Sequence, residues 1–315
     1  MSKNQPSGEA QTAFGSPIHQ PVMPEEVCTF LLEGNPQLVV DCTLGLGGHS
    51  RLILEKNTAV RLLGLDLDED NLRIAGQRLA GYGDRVVLRQ ANFADLSAVL
   101  REVGWGPVGA ILADLGVSSN QIEDAARGLS FDRDGPLDMR LDRTQTLTAA
   151  DLVNGLSEGE LADLLYMQSQ EHGSRKISKR ICQARRQGRL DSTVALARLV
   201  ASALGQDPDA RRSRIHPATR TFMALRMSVN RELQSLRRLL EQAPDCLSAG
   251  GRLAIISFHS GEDRIVKEDF RARAQAGVYR LLTKKPAVAS DVECAANPRS
   301  RSAKLRVAER VGAVA

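Results

Sequence analysis

Five short runs of apolar residues, each followed by turn residues, set the framework of the chain. They cover residues 38–42, 62–66, 85–88, 110–115 and 252–258. Runs that are apolar on both faces are typical of parallel strands covered by helices on both sides. Helical patterns lie between the first four runs, at a spacing that suits βαβ units. The pattern therefore predicts an α/β protein with a doubly wound, mostly parallel sheet.

A long stretch, residues 116–251, separates the fourth apolar run from the fifth, and it is too long for one crossover connection. Within it, residues 132–216 carry several helical periodicities and predict a helical insert. Residues 219–242 predict one amphipathic helix, which feeds the fifth strand through Pro244 and a glycine turn.

Beyond the fifth run, the pattern predicts a charged helix at residues 262–276 and two further strands at 278–283 and 304–308. The chain thus divides into a main α/β domain, a helical insert and a small, polar N-terminal tail that we expect to be disordered. The predicted bounds are 17–131 with 217–315 for the main domain, 132–216 for the insert and 1–16 for the tail.

The composition is that of a globular protein, with 42% hydrophobic and 25% charged residues. The five cysteines are far apart and none forms a CxxC pair, which indicates reduced thiols rather than disulfides or a zinc site. No apolar run reaches the length of a membrane span, and the N-terminus lacks the apolar stretch of a secretory signal. We expect a cytoplasmic protein with no metal and no membrane partner.

Positive charge is concentrated in two blocks of the sequence. Residues 171–220 hold twelve Arg or Lys against four acids and residues 271–315 hold ten against three, whereas 130–170 hold eight acids against three Arg. With a net charge of +4, such blocks favour a polyanionic partner, although two solvated helix faces would give the same pattern. Because only 3% of residues are aromatic, base stacking is not expected to be the main binding device.

The first strand ends in a glycine-rich turn, DCTLGLGGHS at residues 41–50. Glycines permit a sharp turn and a close approach of ligand to backbone, and the helix that follows offers free N–H groups. A dinucleotide-binding turn would have glycine at the third position of GxGxxG, which here is Ser50, so that fingerprint fails at one position. Asp41 suits a ligand with a cationic amino group better than a pyrophosphate.

Three further loops fall at the same predicted edge of the sheet. Asp66 ends the second strand, where a carboxylate can accept hydrogen bonds from ribose hydroxyls. Asn92 and Phe93 follow the third strand and suit an adenine ring, and Asp114 ends the fourth. Taken singly, the acids could be helix N-caps and Phe93 a core residue. Together they predict a pocket for the adenosine of S-adenosylmethionine.

Six long motifs, in order along the chain, resemble one known family. They are HQPV from residue 19, DCTLGLGGHS from residue 41, DLGVSSNQIEDAARGLSFDRDGPLDMRLD from residue 114, HPATRTFMALRMSVNREL from residue 216, GGRLAIISFHSGEDRIVK from residue 250 and NPRSRSAKLRVAER from residue 297. Over about residues 17–311 the chain closely resembles the RsmH (MraW) family of bacterial methyltransferases.

The resemblance implies a class I S-adenosylmethionine-dependent methyltransferase fold, Rossmann-like, with an inserted helical domain. It also implies N4-methylation of one cytidine in the decoding region of 16S ribosomal RNA, with the small ribosomal subunit as partner. By motif position, the residues implied to contact the cofactor are Gly47, Gly48, His49, Asp66, Phe93, Asp114 and Gln121.

The chain departs from the family pattern in two places. Gly261 stands where the family usually has leucine, in ISFHSLEDR. Ser169 and Gln170 stand in a segment that usually reads YGEER, of which Glu171 remains. The second departure lies in the predicted insert, so it bears on substrate contacts and not on the cofactor pocket.

Methyl transfer to a cytosine amine is an in-line displacement, in which N4 must lie opposite the sulfonium sulfur. An acceptor for the amine hydrogens would take up the developing positive charge. The pattern assigns no catalytic residue, and the candidates are Asp114 and Ser118, after the fourth strand, and His259, after the fifth. Asp114 either contacts N4 or only binds the cofactor, and we favour the second.

Substrate contacts are predicted in the insert and at its borders. Asp138 and Arg140 would read a base edge or a phosphate, or else form a structural ion pair. Basic residues at helical spacing, with Ile177 and Ile181 facing inward, would bind phosphates without reading sequence. The further candidates are Arg175, Lys176, Lys179, Arg180, Arg185, Arg186, His216 and Arg220, with a second stripe of Arg299, Arg301, Lys304 and Arg306.

Several other functions stay open at this point. A dinucleotide-dependent oxidoreductase is disfavoured by Ser50 and by the motif set. The remaining alternatives are a methyltransferase acting on another nucleic acid or on protein, and a ribosome-assembly factor that binds the cofactor without turnover. The pattern assigns neither a catalytic base nor an oligomeric state, and it does not distinguish naked RNA from the assembled subunit.

Overall fold

The structure, a computed structural model, describes residues 20–207 and 216–312, so the predicted tail lies outside the described residues. A seven-stranded sheet forms its centre. In chain order the strands are β1 Leu38–Asp41, β2 Arg61–Asp66, β3 Val86–Gln90, β4 Val108–Asp114, β5 Leu247–Ser257, β6 Tyr279–Leu281 and β7 Lys304–Arg310. Across the sheet the order is β3-β2-β1-β4-β5-β7-β6.

The first five strands are parallel, and β7 runs antiparallel to both β5 and β6. The chain moves outward from β1 to β3 and then returns to place β4 on the other side of β1. Open α/β sheets bind ligands at such a reversal, beyond the carboxyl ends of the strands. The sheet confirms the predicted fold class, a Rossmann-like, doubly wound and mostly parallel α/β sheet.

Helices cover both faces of the sheet and build the insert. Those of the N-terminal half are α1 Pro24–Leu32, α2 Gly48–Lys56, α3 Glu69–Leu79, α4 Leu96–Glu102 and α5 Ser119–Glu123. The insert contains α6 Ala149–Gly155, α7 Glu158–Ser169, α8 Ser174–Ala184 and α9 Thr193–Ala203. They are followed by α10 Thr219–Val229, α11 Glu232–Cys246, α12 Ser260–Gln275 and α13 Asp291–Ala296.

The prediction of one helix over 219–242 is wrong, because the chain breaks between α10 and α11. Arg231 adopts a left-handed backbone with φ 52°. The side chain of Asn230 donates to the main-chain oxygen of Met139 and accepts from the N–H of Leu141, at 2.8 Å each. This break fastens the end of α10 to the loop that enters the insert, a contact that helical periodicity does not reveal.

The start of the fifth strand also differs from its prediction. Pro244 lies inside α11 rather than in a turn. Strand β5 begins at Leu247, before the glycine pair, because Leu247 already pairs with Val108 of β4. The apolar run from residue 252 is the buried part of this longer strand.

Three apolar clusters make up the core. Two of them lie on opposite faces of the sheet. Neighbouring residues of a strand belong to different clusters, as with Val40 in one and Val39 in the other. The third cluster holds the insert together and includes Ile177 and Ile181, which are fully buried as predicted. It also takes in Leu225 and other residues of α10, so the apolar core of the insert extends past the predicted boundary at 216.

No helix in the described part of the chain combines the length and the apolar character that crossing a membrane requires.

Candidate functional site

A cavity of about 350 Å³ opens at the carboxyl edge of the sheet, where the loops after β1, β2, β4 and β5 meet. Of the residues predicted to contact a cofactor, those that line it are Gly48, His49, Asp66, Phe93, Asp114 and Gln121. The three catalytic candidates Asp114, Ser118 and His259 line the same cavity. The fold thus brings together residues from five separate segments of the sequence.

The loop after β1 forms the floor of the cavity. Gly45 and Gly47 adopt left-handed backbones, with φ 51° and 79°, and Gly47 is the N-cap of α2. Asp41 lies beneath this loop: its carboxylate accepts hydrogen bonds from the N–H of Thr43 at 3.2 Å and from Ser50 Oγ at 2.7 Å. Burial raises the pKa of Asp41. Ser50, which breaks the dinucleotide fingerprint, therefore anchors the acid that shapes the loop.

Asp66, at the end of β2, holds its own loop and also faces the cavity. Its carboxylate accepts hydrogen bonds from the N–H groups of Gly45 and Asp68, at 2.8 Å each, and from the side chain of Asn71 at 3.2 Å. Burial, which outweighs these hydrogen bonds, raises the pKa of Asp66 to about 6. The carboxylate is thus fixed in orientation by its three hydrogen bonds.

Asp114 and His49 lie next to each other on the wall of the cavity. The Nε2 atom of His49 lies 3.5 Å from Asp114 Oδ2. Both ring nitrogens of His49 and Asp114 Oδ1 are buried and make no hydrogen bond within the described residues. Buried polar atoms are almost always satisfied in folded proteins, so these three atoms indicate that a polar ligand binds in the cavity beside them.

A buried network that sequence reasoning missed supports this side of the cavity. Asp68 accepts hydrogen bonds from the side chain of Gln121 at 2.7 Å and from the guanidinium of Arg127. The other end of the Gln121 amide accepts from the N–H of Ser118, which closes a capping box at the start of α5. The acid-rich sequence after β2 could have indicated a role for Asp68. No sequence pattern indicated one for Arg127.

The loop after β5 closes another side. His259 is the N-cap of α12: its Nδ1 accepts from the N–H groups of Gly261 and Glu262, at 3.2 and 3.4 Å. Its Nε2 lies 3.1 Å from the buried carboxylate of Glu262, without the alignment of a hydrogen bond. A Cβ atom at Gly261 would lie 3.1 Å from His259 Nδ1. The departure from leucine at 261 therefore leaves more space beside this imidazole.

Residues that border the insert complete the wall of the cavity. Arg226 of α10 lines it and forms a two-bond ion pair with Glu232 of α11, at 2.8 Å for each bond. Leu141 lines it from the loop that enters the insert. Just beyond, Asp138 and Arg140 pair with each other at 2.7 and 2.8 Å, which is the structural arrangement that the sequence left open.

His216, Arg220 and the basic residues of α8, which were also predicted to contact substrate, do not line the cavity. His216 packs its ring against Phe131 at 4.5 Å and accepts a hydrogen bond from the N–H of Ala218. Arg220 is exposed on α10. The exposed face of α8 carries Arg175, Lys176, Lys179 and Arg180, none of which forms an ion pair within the described residues.

The predicted second basic stripe is not a continuous surface. Arg306 is 7% exposed and its Nε lies 2.7 Å from Asp263. Lys304 reaches the same carboxylate at 3.6 Å. Arg299 turns inward and lines the cavity, which leaves Arg301 as the exposed member of the four.

The YGEER-like segment lies between α7 and α8. Ser169 is buried and donates to the main-chain oxygen of Leu165, and Gln170 ends α7 in a left-handed conformation with φ 55°. Glu171 is also buried and accepts a hydrogen bond from the N–H of Gly173 at 2.8 Å. The segment therefore shapes the start of the basic helix α8.

Within residues 20–207 and 216–312, no group of three or more His, Cys, Asp or Glu side chains is placed to hold a metal ion.

Comparison with known proteins gives a consistent picture. A family model described as the MraW methylase family matches residues 16–311. Three relatives share the name Ribosomal RNA small subunit methyltransferase H. The protein of Sorangium cellulosum is 48% identical over 294 residues, covering 93% of this chain and 91% of that protein. Those of Syntrophotalea carbinolica and Prochlorococcus marinus are 47% and 50% identical, each covering 93% of this chain and 98% and 90% of their own lengths.

Proposed function

The chain belongs to the MraW methylase family, and from this premise we propose that it uses S-adenosylmethionine to methylate N4 of one cytidine in the decoding region of 16S ribosomal RNA. The observation that carries the proposal is the cavity in which buried atoms of His49 and Asp114 make no hydrogen bond to any of the described residues. Full-length relatives named as small-subunit RNA methyltransferases support the substrate class.

The residues present fit S-adenosylmethionine. A cavity of about 350 Å³ falls within the usual range for small-molecule sites. Asp66 would accept hydrogen bonds from ribose hydroxyls, and Phe93 offers an apolar surface for a purine. Asp114 and His49 would face the polar, cationic part of the ligand. When bound, the cofactor supplies a methyl group activated on a sulfonium.

The protein must also make a poor nucleophile react. The lone pair of cytosine N4 is delocalised into the ring, so an acceptor for an amine hydrogen helps to localise it. Asp114 or a main-chain carbonyl of the loop 115–118 lies on the cavity wall and could accept that hydrogen. Because these groups are already fixed in place, little free energy is spent on reorganising them during the reaction. No residue needs to form a covalent bond to the base.

His259 is better suited to shaping this wall than to removing a proton. Its Nδ1 already accepts hydrogen bonds from the start of α12, so its ring proton belongs on Nε2, beside Glu262. A histidine in this state has no free lone pair to offer to N4. We keep it as a candidate for contact with the base.

Helix α8 would bind the RNA backbone. Its four exposed cations, Arg175, Lys176, Lys179 and Arg180, lack ion-pair partners within the described residues. By contrast, Arg140, Arg226 and Arg306 each pair with a carboxylate. Unpaired cations on one helix face suit phosphates, which fix orientation without reading sequence.

The experiment is a methylation assay with the purified protein, labelled S-adenosylmethionine, and either 16S RNA or small subunits from cells that lack this protein. Nuclease digestion and mass spectrometry then identify the modified nucleoside and its position. N4-methylcytidine at one site in the decoding region is the expected product. Label in another nucleotide would redirect the proposal to another RNA base. Cofactor binding with no label transferred to any RNA would favour an assembly factor without turnover.

The same assay with naked RNA and assembled subunits, compared at equal concentrations, identifies the form that the enzyme uses. Since ribosomes assemble in the cytoplasm, we place the protein there as part of this proposal.

A further inference from the structure

We infer that Arg299 is a positioning residue for methyl transfer, which holds the loop after β4 in the shape that presents the target amine. This inference rests on the proposed function, because that loop contributes the candidate amine acceptors. Sequence pattern assigned Arg299 to phosphate binding, whereas the structure turns it into the cavity wall.

The guanidinium of Arg299 binds the loop through two nitrogen atoms. One terminal nitrogen donates to Ser119 Oγ at 2.7 Å, and the other donates to the main-chain oxygen of Val117 at 3.2 Å. These two acceptors flank Ser118, whose N–H is held in turn by Gln121. The loop is therefore held by hydrogen bonds on both sides. Those on one side come from Arg299, which is 180 residues away from Ser119 in the sequence.

The loop needs such support because its backbone is unusual. Gly116 has φ 110°, a conformation that only glycine adopts readily. Between β4 and α5, side chains bind two main-chain groups of the loop: Gln121 accepts from the N–H of Ser118, and Arg299 donates to the oxygen of Val117. An arginine fork, with donors in a fixed plane, is well suited to hold such a loop.

Arg299 is itself anchored to the sheet. It lies in a 3-10 turn, Pro298–Ser302, which leads directly into β7. Asn297 caps this turn by accepting from the N–H of Arg299 at 3.3 Å, and it also donates to the main-chain oxygen of Gln20 at 3.3 Å. The C-terminal turn thus connects the segment before α1, the rim of the cavity and the loop after β4.

The position of the charge adds an electrostatic effect. Burial lowers the pKa of Arg299, and the nearby carboxylate of Asp114 opposes that shift. Arg299 therefore places a positive charge at the cavity wall while it holds the loop after β4.

The test compares Arg299→Lys and Arg299→Gln with the wild type by steady-state methylation of small subunits and by calorimetry with S-adenosylhomocysteine. We expect kcat to fall about 10- to 100-fold for Arg299→Gln, as for other misplaced reacting groups. Arg299→Lys should lose less, because it keeps the charge but not the fork. The Kd for S-adenosylhomocysteine and the KM for subunits should each stay within about threefold.

Two further variants separate positioning from general damage. Ser119→Ala removes one acceptor of Arg299 and keeps the guanidinium itself, and it should lower kcat in the same direction. The double variant with Arg299→Gln should lose no more than Arg299→Gln alone, because the two residues act through one contact. Arg273→Gln is the matched control: Arg273 is also half-buried and donates to Asp269 and to a main-chain oxygen, and its kcat should equal that of the wild type.

Each contrary result has its own meaning. If the wild type is active and Arg299→Gln has the same kcat, the positioning role is overturned and the proposed function is not. A loss carried by the Kd would make Arg299 a cofactor ligand, and a loss carried by the KM would return it to phosphate binding; either result overturns the positioning role. Failure of the wild type to methylate RNA would refute the proposed function instead.

Discussion

Arg127 and Asp68 form an ion pair of 2.6 Å in which both side chains are almost fully buried, with 4% and 3% exposed. The pair joins the turn after α5 to the loop after β2. Asp68 also binds the side chain of Gln121, and Asp66 is only two residues away. The contact therefore fixes the edge of the cavity where Asp66 and Gln121 lie.

Arg127→Ala should strongly destabilise the fold. Removing one partner of a buried ion pair leaves an uncompensated charge, which typically costs about 3–5 kcal/mol. We expect that loss in the free energy of unfolding, measured by urea denaturation. Arg143→Ala is the control, since Arg143 is half-exposed and 3.9 Å from Asp124, and it should cost less than about 1 kcal/mol. A cost at Arg127 no greater than that at Arg143 would contradict a structural role for the buried pair.

Asp114→Asn should weaken cofactor binding. Its Oδ1 atom is buried and makes no hydrogen bond within residues 20–207 and 216–312, so a cationic ligand would gain a charge-assisted contact there. Loss of such a contact is worth roughly 1.5–3 kcal/mol, which corresponds to about a 10- to 100-fold rise in the Kd for S-adenosylmethionine. Isothermal calorimetry measures this directly.

The control for Asp114 is Asp95→Asn, because Asp95 is exposed and pairs with Arg238 away from the cavity. Its Kd should match that of the wild type. If Asp114→Asn bound the cofactor normally but lost turnover, Asp114 would be assigned to the target amine instead.

Cofactor affinity should fall as the pH is lowered through about 6. Burial raises the pKa of Asp66 to about 6, so below that pH the free protein holds a neutral carboxyl. Ribose hydroxyls favour the ionised form as an acceptor, so binding would release a proton, at a cost of up to about tenfold in affinity per pH unit. Calorimetry at pH 5, 6 and 7.5, in two buffers of different ionisation enthalpy, measures both effects.

Asp66→Asn removes the titrating group and should abolish this pH dependence, whatever its own affinity. An unaltered pH profile in that variant would assign the titration to another group.

Neutralising helix α8 should reduce the salt dependence of RNA binding. The variant replaces Arg175, Lys176, Lys179 and Arg180 with glutamine. If each contacts one phosphate of unpaired RNA, the slope of log K against log salt should decrease by about 3. Cofactor affinity should not change, because these residues do not line the cavity.

Arg189→Gln is the matched control for α8, since Arg189 already pairs with Asp151 and Asp191. It should keep the wild-type slope. An equal slope in the fourfold variant would remove α8 from the RNA-binding surface.

Much of the cavity could be predicted from the sequence because it follows from strand positions. Asp66, Phe93 and Asp114 each come at or just after the end of a parallel strand, and such ends converge on one edge of the sheet. The spacing of apolar residues also predicted that Ile177 and Ile181 face the core of the insert. The cations of α8 were therefore predicted on its opposite, exposed face. These inferences need only local pattern and the geometry of a parallel sheet.

Other parts of the cavity could not be predicted in this way. Arg299 and Arg127 have no local pattern that separates them from surface arginines, and their partners lie far away in the sequence. The break at Asn230 is set by hydrogen bonds to residues 139 and 141, which override the helical pattern around it. In the sequence, Ser50 is only the position where the dinucleotide fingerprint lacks a glycine. The structure shows that its hydroxyl donates to Asp41.

By itself, the sequence determined the positions of the strands along the chain, the glycine turn and the acids that follow the strands, because periodicity and turn chemistry act over a few residues. Only the tertiary structure decided which arginines face inward, which acids hold loops and which face the cavity. Those outcomes depend on contacts between distant segments, where burial and hydrogen-bond geometry select a partner that no local pattern encodes.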